Sequence, residues 1–173
     1  MRRDVCGGLL DEVRKARPDL AGGRLLKAGA VSSASIAILH VGILMAGAPA
    51  FRYFGAGERM AQMAERGSLA PSVWTIAITV VFLVWTLFAL SGAGVHRRLP
   101  LLRTGLVAVA AVYTLRGLVL GPQLVWFLSG YADAVPPRYL LFSAASLLAG
   151  LIHIAGTHRA WRALDPSIQV SVQ

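Results

Sequence analysis

The chain has 173 residues, of which 56% are hydrophobic and 14% are charged, and its mean hydropathy is +0.63. Soluble domains have about 25% charged residues, so this chain has too few polar side chains to cover a water-soluble fold. Lys and Arg outnumber Asp and Glu by 17 to 8. Because these basic residues cluster at the ends of long apolar segments, they indicate membrane orientation, and we expect no nucleic-acid partner.

Residues 1–24 form a polar, basic lead. Within it, the segment GLLDEVRKARPDL places four apolar residues on one face of a helix. This pattern predicts either an interfacial helix or a partly ordered tail. The lead also holds the single cysteine, Cys6, which excludes a disulfide within the chain and a thiolate metal cluster.

Four apolar segments without Asp or Glu are long enough to cross a hydrocarbon core of about 30 Å as helices. They cover residues 28–46, 71–91, 104–120 and 139–157. The third either ends at residue 120 or continues to residue 128 through a break at Gly121-Pro122. Between the first two, GERMAQMAERG predicts a short amphipathic surface helix. We therefore predict an all-α fold, an integral membrane bundle of four transmembrane helices within residues 25–162, followed by a short tail at 163–173.

Four spans place both termini on the same side of the membrane. That side carries twelve Lys and Arg in the lead, the second loop and the end of the chain, against four in the first and third loops. Basic residues in short loops favour the cytoplasm. We expect a multi-pass protein of the inner (plasma) membrane with both termini in the cytoplasm.

Arg116 lies inside the third span, where a guanidinium costs about 2.5–3.5 kcal/mol on insertion scales. It follows Arg103 by 13 residues, or about 20 Å of helix, which places it in the outer half of the membrane. It either snorkels to the outer interface or faces a polar interior that would attract an anion. Asp133 in the third loop and an external ligand are the two candidate anions.

Other polar residues fall near the level or the helical stripe of Arg116. His40 follows Lys27 by 13 residues and so reaches the same depth, while Tyr113 and Gln123 share the helical face of Arg116. Thr79 belongs to a threonine stripe on the second span. We predict an outward-facing polar pocket that binds an anionic small molecule or a lipid headgroup and is lined by His40, Thr79, Tyr113, Arg116 and Gln123. The alternative is that these stripes serve ordinary helix packing.

Catalytic and cofactor patterns are missing from the sequence. There is no GxSxG, no HExxH and no carboxylate pair, so we predict no catalytic residue and a protein that is not an enzyme. His40 and His153 lie at unequal depths, which argues against a shared haem iron, and the spans lack the carboxylates expected beside histidine in a metal site. We therefore expect neither a cofactor nor a metal.

Gly117 and Gly121 form a GxxxG pair, a pattern that allows close approach between membrane helices. It supports a second hypothesis, in which the protein is a structural or accessory subunit of a larger membrane complex or a homo-oligomer. That hypothesis requires both glycines to face lipid.

The stretch RRLPLLRTGLVAVAAVYTLRGL combines a basic loop, a span and an intramembrane arginine followed by glycine. Together with His40, it resembles small uncharacterised four-helix bacterial inner-membrane proteins. The resemblance covers about two spans and implies the topology, without implying an activity, a substrate or site residues.

Overall fold

The computed structural model describes residues 2–130 and 135–164, with side chains from residue 21 onward. Seven helices occupy these residues, which contain no strand. They are α1 (Arg2–Ala46), α2 (Ala48–Phe54), α3 (Glu58–Glu65), α4 (Ala70–Gly92), α5 (Leu102–Leu118), α6 (Leu120–Leu128) and α7 (Pro137–Ala160). The described part of the chain therefore confirms the all-α prediction.

Four helical stretches are long and apolar enough to cross a membrane. They are Ala21–Ala46, Ala70–Gly92, Leu102–Leu128 and Pro137–Ala160. Their outward faces are apolar, as in α4, where only 11% of the most apolar window is buried. Such faces suit hydrocarbon and not water, because a helix satisfies its own backbone hydrogen bonds and these faces are made of apolar side chains. The fold is thus the predicted four-helix membrane bundle.

The lead, predicted as either an interfacial helix or a partly ordered tail, is helical and continues directly into the first span, since α1 runs unbroken from Arg2 to Ala46. Its side chains before residue 21 lie outside the described set, so their contacts stay a matter of prediction. Of the tail at 163–173, residues beyond 164 lie outside the described chain as well.

The third span is interrupted between α5 and α6. Pro122 has no N–H to bond to the carbonyl of Leu118, and its ring would clash with that carbonyl in a regular helix. Accordingly, α5 ends at Leu118, and the ladder resumes where the Gln123 N–H bonds to Val119 O at 3.2 Å. The break lies at Val119, two residues before the predicted Gly121-Pro122. The apolar stretch continues to Leu128, which is the longer of the two predicted alternatives.

The spans pack in the cyclic order α4, α1, α7, α5, with α4 and α5 in more limited contact. One end of the bundle, here called the basic end, carries the α4–α5 loop and residue 164. It is filled by a cluster of Leu26, Leu102, Leu106, Ala160 and Leu164. The opposite end is called the α2–α3 end, and its cluster is Ile43, Ala50, Phe51 and Ala61.

The α2–α3 end is built by a turn and an ion-pair cluster. Gly47, at φ +69°, lets the chain reverse between α1 and α2, a conformation that a side chain would strain. Arg52 of α2 then donates to Glu58 at 2.8 Å and to Glu65 at 2.7 Å, at the two ends of α3. The hydrogen bond from Arg52 lowers the pKa of Glu58 to about 2 and also lowers the pKa of Glu65, while these carboxylates raise the pKa of Arg52.

Candidate polar site around Arg116

Arg116 lies in the last turn of α5 and is exposed. Its Nη1 donates to Ser143 Oγ of α7 at 2.9 Å. This partner is a neutral hydroxyl, and the sequence places no Asp or Glu in any of the four spans. The positive charge of Arg116 is therefore solvated by dipoles in the described structure, without a carboxylate to neutralise it.

Ser143 joins Arg116 to Gln123. It is fully buried, accepts from Arg116, and donates to Gln123 Oε1 at 2.7 Å. Arg116 precedes the break between α5 and α6, and Gln123 follows it. Both side chains are hydrogen-bonded to the Ser143 hydroxyl, which therefore bridges the break. We call Arg116, Gln123 and Ser143 the arginine cluster.

Helical periodicity puts Arg116 on the same face of α5 as Gly105, which contacts α4, while the described hydrogen bond of Arg116 reaches α7. Gly105, eleven residues earlier and thus about three helical turns away on the same face, approaches the ring of Phe88 in α4 so closely that it has no room for a Cβ atom. The described close approaches of α4 to α5 include those of Phe82, Trp85, Phe88 and Gly92, which lie in the half of α4 toward the basic end. Arg116 lies beyond this contact zone, toward the α2–α3 end.

A second polar and aromatic group fills the middle of the bundle. The ring of Phe82 lies 5.2 Å from that of His40 and 6.1 Å from that of Tyr113. The Tyr113 ring stacks on His153 at 5.3 Å, and its hydroxyl is 3.0 Å from Ser33 Oγ. We call this set, with Trp85, the ring cluster; it links all four spans.

His153 is the most enclosed member of the ring cluster. Its side chain is fully buried, and its Nδ1 donates to Ala149 O at 2.9 Å, which leaves Nε2 as an acceptor without a partner among the described residues. A Cβ atom on Gly29 of α1 would lie 2.8 Å from Nε2. Tight packing against α1 thus accounts for the position of the ring.

The five predicted pocket residues fall into two groups. The structure joins Arg116 to Gln123 through Ser143, and it brings His40 and Tyr113 onto the same Phe82 ring. Thr79 lies one turn before Phe82, and its hydroxyl bonds to Thr75 O at 2.8 Å. No described contact connects the two groups, and Asp133, the predicted internal partner, lies outside the described residues.

Ser143 and His153 both lie in the predicted fourth span, but the sequence analysis did not assign either to the site. The signal that could have found Ser143 is its position near the amino-terminal end of that span, at a level similar to that of Arg116. Ser33 and Phe82 had no distinguishing signal, because small hydroxyls and aromatics are common inside membrane bundles.

The GxxxG prediction is wrong for one of its two glycines. Gly117 is buried, and a Cβ atom there would lie 2.5 Å from the backbone nitrogen of Leu147 in α7. Gly121 is exposed and has open space around it. Gly117 therefore packs α5 onto α7 within the chain, and a partner or a second copy could use Gly121 but not the pair.

Among the described residues, no three side chains of His, Cys, Asp or Glu gather as a metal site would require. The chain matches no protein-family model, no curated protein and no solved structure. The resemblance to small four-helix inner-membrane proteins accordingly stays a prediction.

Proposed function

We propose that this protein is a small inner-membrane protein, with both termini in the cytoplasm, that binds a phosphate-bearing anion at the arginine cluster. The observation that carries the proposal is a guanidinium inside a membrane span whose described partner is a neutral serine. A cation at that depth is costly and commonly has a functional reason. An anionic ligand would supply the missing charge.

The arginine cluster suits an oxyanion because of its donors. A guanidinium has five N–H donors in a planar fork. The described hydrogen bond from Arg116 to Ser143 uses only Nη1. The remaining donors can hold two oxygens of one phosphate or carboxylate. Ser143 accepts from the guanidinium and is itself fixed by its hydrogen bond to Gln123, and a guanidinium held in place loses less entropy on binding.

Access would come from between α4 and α5. The ring contacts of Phe82 and Trp85 with Tyr113 join these helices one turn closer to the basic end than Arg116, which is exposed. The shared chemistry is an oxyanion, and its source is either a lipid headgroup of the outer leaflet or a free anion from outside. The ring cluster, with His40 and Tyr113, would form the inner limit of the site, and Thr79 would lie on its α4 side.

The test compares the wild type with Arg116→Gln in nanodiscs of phosphatidylcholine, with and without phosphatidylglycerol, and with added inorganic phosphate. Arg59→Gln is the matched control, since Arg59 is an exposed cation on α3 outside the spans. We expect phosphatidylglycerol to raise the Tm of the wild type and of Arg59→Gln but not of Arg116→Gln. A rise with phosphate alone would identify a free anion. An equal rise in all three proteins, or none in the wild type, would refute the proposal.

The orientation has its own test, because Cys6 is the single cysteine and lies in the lead. A membrane-impermeant maleimide added to intact cells should leave Cys6 unlabelled. A Cys6→Ser variant carrying Ser68→Cys, in the α3–α4 loop, should be labelled. Labelling of Cys6 in intact cells would place the lead outside and reverse the proposed topology.

A further inference from the structure

The short helix α6 is held to the bundle less firmly than its neighbours. None of its residues from Leu120 to Leu128 is buried, whereas α5 buries six. The two helices are joined through the break at Val119. Beside it, Gly121 has open space around it, and Pro122 has no N–H to bond to the carbonyl four residues earlier. Because proline is the usual cause of a helix kink, the break is the point at which α6 can turn relative to α5.

One side-chain hydrogen bond ties α6 to the rest of the bundle in the part of the chain that the structure describes. It runs from Ser143 Oγ to Gln123 Oε1 at 2.7 Å. Arg116 Nη1 donates to the same serine oxygen at 2.9 Å, so the bonded atoms of Arg116 and Gln123 lie no further apart than the sum of these two distances. Two polar side chains, one on each side of the break, thus meet at one atom.

Both of these side chains keep donors that the structure leaves unused. Arg116 is exposed and uses one of its five N–H groups in the described bond. Gln123 is half-buried, and its amide N–H2 group is neither enclosed nor hydrogen-bonded among the described residues. Ser143 is fully buried and gives its single hydrogen to Gln123. An external anion can therefore reach the guanidinium and the amide, which belong to different helices, but not the serine.

We propose that the anion of the proposed site, on which this inference rests, bridges Arg116 and the amide N–H2 of Gln123 and thereby fixes α6 on the bundle. One oxygen of a phosphate or carboxylate accepts from the guanidinium and another from the amide, and the anionic charge strengthens both bonds. In the empty site α6 is held by the neutral bond to Ser143, and in the occupied site it is also held through the ligand. Binding of the anion thus restricts the motion of α6.

The first test measures the position of α6 by double electron–electron resonance between two spin labels in a Cys6→Ser background. The labelled pair is Ile76→Cys of α4 with Val125→Cys of α6, both at exposed positions. The control pair is Ile76→Cys with Leu141→Cys of α7, which is also exposed. In nanodiscs of phosphatidylcholine we expect a broad distance distribution between α4 and α6. The anion that raises the Tm, phosphatidylglycerol or inorganic phosphate, should narrow it and leave the control pair unchanged.

These measurements separate the bridge from the anion site itself. If the anion raised the Tm of the wild type but left the α4–α6 distribution unchanged, or narrowed both pairs alike, the bridge would be refuted while the site at Arg116 would stand. If neither anion raised the Tm, the site and the bridge would fall together.

Gln123→Leu removes the bridging amide with little change in side-chain size. It should weaken anion binding about tenfold, the effect of one hydrogen bond to a charged group. At saturating anion it should also abolish the narrowing. Leu124→Ala, which alters an exposed side chain of the same helix, is the control and should keep both effects. A narrowing that persisted in Gln123→Leu would overturn the bridge, because losing a merely supporting residue would weaken binding without freeing α6.

Pro122→Ala tests the break. An N–H at this position allows the helix to continue from α5 into α6. In phosphatidylcholine alone, we expect the α4–α6 distribution of this variant to be as narrow as that of the wild type with bound anion. A distribution as broad as that of the empty wild type would show that α6 does not turn at the break, and would overturn the proposed motion.

Discussion

The close approach of α5 to α7 at Gly117 leads to the sharpest prediction on stability. A Cβ atom at Gly117 would lie 2.5 Å from the backbone nitrogen of Leu147, about 1 Å short of ordinary contact. Because the obstacle is backbone, the helices must separate for Gly117→Ala to be accommodated. We expect a loss of about 2 kcal/mol, since overpacking costs about 1–3 kcal/mol or more and the better helix propensity of Ala returns about 1.

Gly42→Ala is the control for helix propensity. Gly42 lies within α1 and has open space around it, so alanine there meets nothing. We expect a gain of up to about 1 kcal/mol from reduced freedom of the unfolded chain. Both variants can be compared by unfolding with sodium dodecyl sulfate in mixed micelles, following helicity by circular dichroism. If Gly117→Ala were as stable as Gly42→Ala, the packing described for α5 and α7 would be wrong.

Two other predictions concern hydrogen bonds. Because Arg52 lowers the pKa of Glu58 to about 2 from the ordinary 4.5, the stability that this pair gives to the α2–α3 end is present at neutral pH and is lost as pH falls from 4.5 through 2. The protection factors for amide hydrogen exchange in α2 and α3 should therefore fall over that range in the wild type, and an unchanged pH profile in Arg52→Gln would contradict the assignment. Tyr113→Phe should lower the free energy of unfolding by about 1 kcal/mol, because it removes the bond to Ser33. A double-mutant cycle with Ser33→Ala checks this, since fully additive losses would mean that the two hydroxyls do not interact.

The ring cluster shows which parts of the site helical periodicity can predict and which it cannot. Counting residues from the basic loops placed His40 and Arg116 at one depth, and the stripe on the third span grouped Tyr113 with Arg116. In the structure, Tyr113 instead points to Ser33 and His153, while Arg116 reaches Ser143. Positions three residues apart on a helix differ by about 60°, which is enough for their side chains to meet different neighbours.

The sequence by itself determined the four spans and the exclusion of a water-soluble fold. Apolar length and the lack of acidic residues are sufficient for this, because a predominantly apolar segment of that length is stable in lipid only as a helix. It also determined the interruption of the third span, since Pro122 removes a backbone hydrogen bond wherever the helix packs.

Only the tertiary structure decided which helices are neighbours and which faces are buried. Lipid is as apolar as a leucine side chain, so the packed and the lipid-facing sides of a membrane helix differ little in hydrophobicity. That is why Gly117 and Gly121 look equivalent in sequence although one lies against Leu147 and the other is exposed. For the same reason, the pairing of Arg116 with Ser143 became visible only once α5 and α7 were placed side by side.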